Sequence, residues 1–383
     1  MSLRRPFGDL ARAVDLAPLF PAPLFRPDGY PGTRSGADPV YKVDRCGAVA
    51  ARIWRENLKM TDAVLGIDVS KNTFDTNLGA GTKARSKSFA NSPAGWHHLI
   101  AWLGEHKIGQ VHACLEATGR HGLGIALALH EAGHVVSIVN PAQIRDFART
   151  KLGRNKTDQV DAVHIREYAE LFKPRPWTPP SPAMRRLCEL QTIRAGTVAG
   201  LTEWKNRRRS GIMDDLALSL AKTTIQHFTS QLEAVDQAIA ETIDNDVELS
   251  AKRDLLVSVN GVGEALAGIV LAELPGPDIL GSSAAVTAYA GLNPQQHQSG
   301  ISVNRPVRIS KIGNAVLRTA LYMPALSAMR YNPAVAALAD RLKAQGRLKG
   351  KQIVIAAMRK LLVLCFGVLK TGKEFDPAMA MGK

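Results

Sequence analysis

Between Ala63 and Phe172 short apolar runs alternate with amphipathic segments of helical period, and that alternation restricts the region to a layered α/β fold with a mixed sheet. AVLGIDVS reads as a buried strand and TFDTNL as its hairpin neighbour. SPAGWHHLIAWLGEHK reads as a helix, VHACLEAT as a strand, GLGIALALHEAG as a helix and HVVSIVNP as a strand, and TDQVDAVHIREYAELF closes the region as a helix. The segment Lys173 to Pro182, KPRPWTPPSP, carries five prolines in ten residues and reads as a linker, because proline cannot continue a helix.

The expected organisation follows from these shifts of pattern. Residues 1–60, rich in Pro, Gly and Arg without a sustained period, read as a poorly ordered extension, with Met60 a candidate start just before the first strand. Residues 61–172 form the α/β domain, 173–183 the linker, 184–250 a helical region, 251–373 a mostly helical C-terminal domain and 374–383 a tail. Leu218, Ala221, Ile225, Phe228, Leu232, Val235, Ile239 and Thr242 keep the three–four spacing of a coiled-coil seam, which suits an intramolecular hairpin or a dimer equally well. In LLVSVNGVGEALAGIVLAEL the order helix, Gly-Val-Gly, helix is that of a helix-hairpin-helix, in which Gly261 and Gly263 would leave backbone amides free for a phosphate.

A net charge of +15 and a pI near 9.8 favour a polyanionic partner, since each phosphate neutralised by Lys or Arg releases a condensed counterion. The charge is unevenly spread. Residues 62–170 hold 12 Lys/Arg against 11 Asp/Glu, whereas residues 301–373 hold 14 Lys/Arg and the single acid Asp340. The cysteines Cys46, Cys114, Cys188 and Cys365 make no CxxC pair, which points away from a zinc site or a disulfide framework and fits a cytoplasmic location. Asp9, Arg12 and Asp15 break the N-terminal apolar stretch and Arg359 and Lys360 the C-terminal one, so neither a signal peptide nor a membrane span is expected.

Four acids stand where such a fold would use them. Asp68 interrupts an apolar strand, Glu116 ends another, and Asp158 and Asp161 are helical neighbours three residues apart. If the first and fourth strands are adjacent and the last helix packs across them, all four converge. Two carboxylates about 4 Å apart repel by roughly 1 kcal/mol in water and about 4 kcal/mol at an effective dielectric of 20. A divalent cation relieves that cost, and oxygen ligands without His or Cys point to Mg²⁺ or Mn²⁺. Arg149, Lys151, Arg154 and Lys156 lie beside the acids as candidate phosphate contacts, as do Lys205, Arg207, Arg208 and Arg209 in KNRRR. The bland reading keeps Asp158 as a first-turn residue after an N-cap Thr157 and the KNRRR run as a solvated face.

Further on, Gln298-Ser299-Gly300 reads as a turn, followed by an extended segment with Arg305 and Arg308, then Lys311 and a helix from about Asn314. A serine becomes a nucleophile only if its proton is removed and the developing charge is stabilised. Arg305, Arg308 and Lys311 are the candidate charge stabilisers, and His297 is a conceivable proton acceptor.

Asp68 in GIDVSKNTFD, Glu116 in CLEATGRHG, Asp158 and Asp161 in NKTDQVDA, and Ser299 in AYAGLNPQQHQSG resemble, in this order, the DEDD-type transposases of the insertion-sequence 110 family. The resemblance runs from about Val64 to Lys370. It implies an RNase H-like (RuvC-like) domain, a coiled-coil region and a C-terminal transposase domain. It further implies a metal-binding tetrad of Asp68, Glu116, Asp158 and Asp161, and Ser299 as the nucleophile that becomes joined to DNA. A noncoding bridge RNA as guide and an oligomer whose active sites draw on two subunits are implied as well. The extension before Met60 departs from the family pattern. Two rival readings are a metal-dependent nuclease or junction resolvase that leaves Ser299 as a turn residue, and a non-catalytic nucleic-acid-binding protein.

Overall fold

A computed structural model describes residues 63–80, 83–117, 119–151, 158–299 and 303–380, and the expected N-terminal extension lies outside them. These residues fall into two compact units, divided between Pro179 and Pro180.

The first unit is built on a five-stranded sheet. Strands β1 (Ala63–Val69), β2 (Thr73–Ala80) and β3 (Lys83–Ala90) form an antiparallel meander, and β4 (His112–Glu116) and β5 (Val135–Val139) run parallel to β1. The order β3-β2-β1-β4-β5 is that of an RNase H-like sheet. Helices α1 (Pro93–Glu105), α2 (Leu123–Glu131), α3 (Pro141–Thr150) and α4 (Asp158–Phe172) complete it. The side chain of Ser92 caps α1 by accepting from the Gly95 amide, with Pro93 pre-set for the first turn.

Strand alternation divides the sheet's residues between two faces. Leu65, Ile67, Phe74, Leu78, Ala113 and Leu115 are fully buried on one, where Phe89 stacks on Phe74 and meets Trp102 of α1 edge-on. On the other, Cys114 and Val139 pack with Ile144 of α3 and with Ile165, Tyr168 and Ala169 of α4.

The start of the Pro-rich segment is strapped to this sheet. The Trp177 amide donates to the Val136 carbonyl at 2.7 Å, and Ser137 Oγ donates to the Pro174 and Arg175 carbonyls at 3.0 and 2.9 Å. Buried His112 Nε2 lies 2.8 Å from Ser137 Oγ and, the hydroxyl proton being committed, acts as the donor. Burial pushes His112 from its ordinary 6.5 down to about 4. The unfolded chain therefore takes up this proton first as the pH falls, and stability is lost between about 6.5 and 4. At about 1.4 kcal/mol per pH unit the loss approaches about 3 kcal/mol. Urea unfolding at pH 7 and pH 5 should show it, and His112→Gln, which keeps a donor, should flatten it.

The second unit opens with α5 (Pro182–Arg209) and α6 (Asp215–Asp244). Arg194 pairs with Asp236 at 2.5 Å and Thr197 approaches Gln231 at 3.4 Å, so the two helices run antiparallel. Ala221, Ile225, Val235, Ile239 and Thr242 are buried within the chain, which makes the hairpin the occupant of the coiled-coil seam. Helices α7 (Val247–Val257), α8 (Glu264–Glu273), α9 (Pro277–Leu280) and α10 (Ser283–Tyr289) follow. Then come the strand pair β6 (Pro294–Ser299) and β7 (Val303–Ile309) and helices α11 (Ala315–Ala320), α12 (Tyr322–Tyr331), α13 (Pro333–Ala344), α14 (Gly350–Thr371) and α15 (Pro377–Ala380).

Helix α14 is the spine of this unit. Ile353, Ala357, Leu361, Leu362, Cys365 and Phe366 are among its buried residues, and it packs against α7, α9, α10, α12 and α13. Among the described residues it alone is long and apolar enough to cross a bilayer, yet more than half of its apolar stretch is buried inside the protein, as in a core helix.

Candidate active site

Asp68 and Glu116 sit side by side at the C-terminal ends of neighbouring parallel strands. Ile67 pairs with Leu115, and each acid is the next residue of its strand. Alternation turns both away from the buried Ile67–Leu115 layer, onto the face that α4 covers.

Helix α4 crosses that face in close contact, and Gly66 is the reason it can. A Cβ on Gly66 would fall inside the van der Waals envelope of the Ala162 carbonyl oxygen and the Arg166 amide, and 2.9 Å from the Arg166 Cα. Gly66→Ala should therefore force backbone from backbone, at a cost of about 1–3 kcal/mol or more. A fall in the denaturation midpoint checks it, because flexible side chains are not the atoms in the way.

The direction of α4 places its acids. Arg166 bonds Asn77, the partner of Gly66, and Glu170 lies beside Gly79, the partner of Val64. The helix thus runs opposite to β1, and its N-terminal end extends toward the strand ends that hold Asp68 and Glu116. The two steps match: about 7 Å of strand from Gly66 to Asp68 and about 6 Å of helix from Ala162 to Asp158. Half-buried Asp161 lies four residues before Ile165 and continues the buried stripe of Ile165, Tyr168 and Ala169. Asp158 begins the helix and is placed by its backbone alone.

A further acid escaped the reading of the sequence. Asp75 pairs with Asp68 across the β1–β2 ladder and shares its face, so Asp75, Asp68 and Glu116 form a row over three strands. Ser88 Oγ donates to the Asp75 carboxylate. Among the described residues no three His, Cys, Asp or Glu side chains converge as a closed metal shell would. The donor set still suits a hard divalent cation, being carboxylate throughout. Cys114, on the same face, is fully buried, and burial first and the Glu116 charge second push its thiol up.

Two of the basic residues beside the acids are engaged. Arg149 pairs with Asp146 at 3.2 Å, and Lys151 pairs with Glu167 at 2.5 Å while lying over the Phe147 ring. Arg154 and Lys156 lie outside the described residues. Lys205, Arg207, Arg208 and Arg209 are exposed in the last turns of α5, where a helix favours cations. Arg207 pairs with Glu203 and covers the Trp204 ring at 5.1 Å. Gly261 has φ +99° and abuts Ala328 of α12, so packing accounts for it. Gly263 caps α8 in open space, followed by the acid Glu264.

Gln298 and Ser299 belong to strand β6, paired with Asn304 and Val303, and not to the turn expected from the sequence. The pairing extends the strand because β7 supplies backbone partners right up to Val303. Arg305 lies in β7 opposite His297, while Arg308 and Lys311 are exposed. The base of the hairpin is clamped. Ser310 bonds Asn293 through backbone at 3.0 Å and side chain at 2.7 Å, and Arg318 donates to the Ala290 carbonyl at 2.9 Å. Asn314 caps α11 and donates to Glu273 at 2.7 Å. Burial raises the Glu273 carboxyl and the Asn314 bond partly offsets the rise.

Two family profiles match the sequence, a DEDD-type IS110 transposase over residues 65–216 and "Transposase IS116/IS110/IS902 family" over residues 253–340. The pilin gene-inverting protein of Moraxella bovis is 32% identical over 321 residues, covering 83% of this chain and 98% of that protein, and its counterpart from Moraxella lacunata gives the same values. The insertion element IS110 43.6 kDa protein of Streptomyces coelicolor is 27% identical over 175 residues, covering 45% of this chain and 41% of that one. Among solved structures, T. thermophilus RuvC in complex with Holliday junction substrate matches 30% of this chain and 99% of its own, at 19% identity and a TM-score of 0.24.

Proposed function

The chain belongs to the IS110 family of DEDD-type transposases, enzymes that recombine DNA, and from that premise we propose that Asp68, Glu116, Asp158 and Asp161 hold Mg²⁺ or Mn²⁺ and that Ser299 is the nucleophile. The observation that carries the metal part is the placing of Asp68 and Glu116 on adjacent strand ends under the N-terminal end of α4. A bound divalent cation supplies neutralisation of the charge that develops on a phosphodiester under displacement.

The serine step conserves a phosphodiester. Ser299 Oγ bonds to phosphorus as its proton passes to a base, and the bond from phosphorus to one sugar oxygen breaks, leaving that oxygen to be protonated as a hydroxyl. In the reverse direction a sugar hydroxyl attacks the phosphoserine and frees the serine. Strands are thereby rejoined without a nucleotide cofactor. The clamp at the base of β6–β7 supports this reading, since a nucleophile must be presented from a fixed backbone. Arg305, Arg308 and Lys311 are proposed to face the phosphate, and the cationic excess of residues 301–373 to meet DNA and a noncoding guide RNA, in a homo-oligomer.

The test is capture of the intermediate. Cleavage of element-end DNA by the full chain with Mg²⁺, quenched with denaturant, should leave a protein–DNA adduct whose mass-mapped attachment lies on the peptide containing Ser299. Adduct on another residue, or cleavage with no adduct at any time point, overturns the serine role.

A further inference from the structure

We propose that Arg166 is a positioning residue that holds α4 in register with β1 and so sets the spacing between Asp158 and Asp161 on the helix and Asp68 and Glu116 on the sheet. This rests on the metal-binding role proposed above. Arg166 lies five residues beyond Asp161, and its backbone rests directly on Gly66, two residues before Asp68. Its Nε donates to Asn77 Oδ1 at 2.6 Å, and Asn77, only 3% exposed, donates in turn to Ser86 Oγ of β3 at 2.8 Å. The rest of the guanidinium pairs with Glu170 and lies 3.9 Å from Glu167, so the fork is fixed from both sides. Its stem lies against Gly79 of β2, where a Cβ would stand 2.9 Å from Arg166 Cδ.

The close approach of α4 to Gly66 sets how near the helix lies, and the Arg166–Asn77 bond adds a directional tie to it. Ala162, Ile165 and Ala169 present small or apolar surface, and apolar burial is non-directional. The bond to Asn77 is directional, and losing it strands a buried amide oxygen. Carboxylates facing each other across the helix–sheet boundary repel and tend to push α4 away from β1. Arg166 opposes that push from a point just beyond the acids, as an outer partner holds a ligand-bearing element in place around a metal.

The experiment measures Mn²⁺ affinity of the full chain by the electron paramagnetic resonance signal of free Mn²⁺, for wild type, Arg166→Met, Arg166→Lys and Asp68→Asn. Arg166→Met should weaken binding about 10–100-fold and raise the Mg²⁺ needed for half-maximal cleavage in parallel, with cleavage recovering at saturating Mg²⁺. Arg166→Lys keeps the charge and the stem but not the Nε donor, so it should fall between, and it serves if Arg166→Met folds poorly. Wild-type Mn²⁺ affinity in a folded Arg166 variant, with Asp68→Asn no longer binding, removes the positioning role and leaves the tetrad standing. Mn²⁺ binding unchanged in Asp68→Asn removes the tetrad and the positioning role together.

Discussion

Asp68→Asn is expected to yield a folded protein whose DNA cleavage has fallen at least about 1,000-fold, roughly 4 kcal/mol of lost transition-state stabilisation. The substitution keeps the volume of the side chain and removes its charge, so packing against α4 survives while the donor set loses its central member. Asp68 is central because β1 is the middle strand of the row, with Asp75 on one side and Glu116 on the other. A like charge directly across an antiparallel pair is unfavourable, and Asp68→Asn removes one such pair, so the metal-free melting temperature should stay within a few degrees of wild type. Added Mn²⁺ should raise the melting temperature of the wild type and not of the variant, since only a native-state ligand stabilises. Full cleavage by Asp68→Asn, or an equal Mn²⁺ effect in both proteins, counts against a cation at this strand end.

Ser299→Ala is expected to abolish the covalent adduct and recombination together while leaving Mn²⁺ affinity at the wild-type value. In the proposed step the hydroxyl forms the bond to phosphorus and no neighbouring group replaces it, and loss of a nucleophile commonly exceeds the loss of any one supporting contact. The pairing of residue 299 with Val303 uses backbone, so β6–β7 should persist in the variant. Undiminished strand cleavage by Ser299→Ala would make the enzyme a hydrolytic nuclease that depends on the carboxylates alone. The two variants thus probe the two units separately, one through metal and the other through the adduct.

The strands that carry Asp68 and Glu116 were legible where apolar runs were strong. Strands β1, β4 and β5 are short apolar runs, while the adjacency of the first and fourth strands entered only as a condition, which the sheet order meets. Strand β3 was missed because Phe89 is buried while residues 84–88 and Ala90 are exposed, leaving no alternation to read. Helix α3 was missed for a similar reason, with Ile144 its one buried residue, although Asn140 and Pro141 are a start signal. Asp75 was recoverable by arithmetic. A tight connection joining Val69 to Thr73 sets Phe74 against Val69 and therefore Asp75 against Asp68. Ser299 was placed in a turn because PQQHQS has no aliphatic period, and only its partner strand defines it. Arg166 carried no motif at all, since its importance depends on Gly66 and Asn77, which are distant in sequence.

Helix α14 governs the order in which the protein can come into being. The sheet that bears the carboxylates has all its strands and α4 by Phe172, so it can close while the ribosome is still at work. Helices α7, α9, α10, α12 and α13 lack the helix they share as a packing partner until residues 350–371 emerge. A chain still short of residues 350–371 therefore has its sheet complete while the C-terminal helices lack the helix that gathers them.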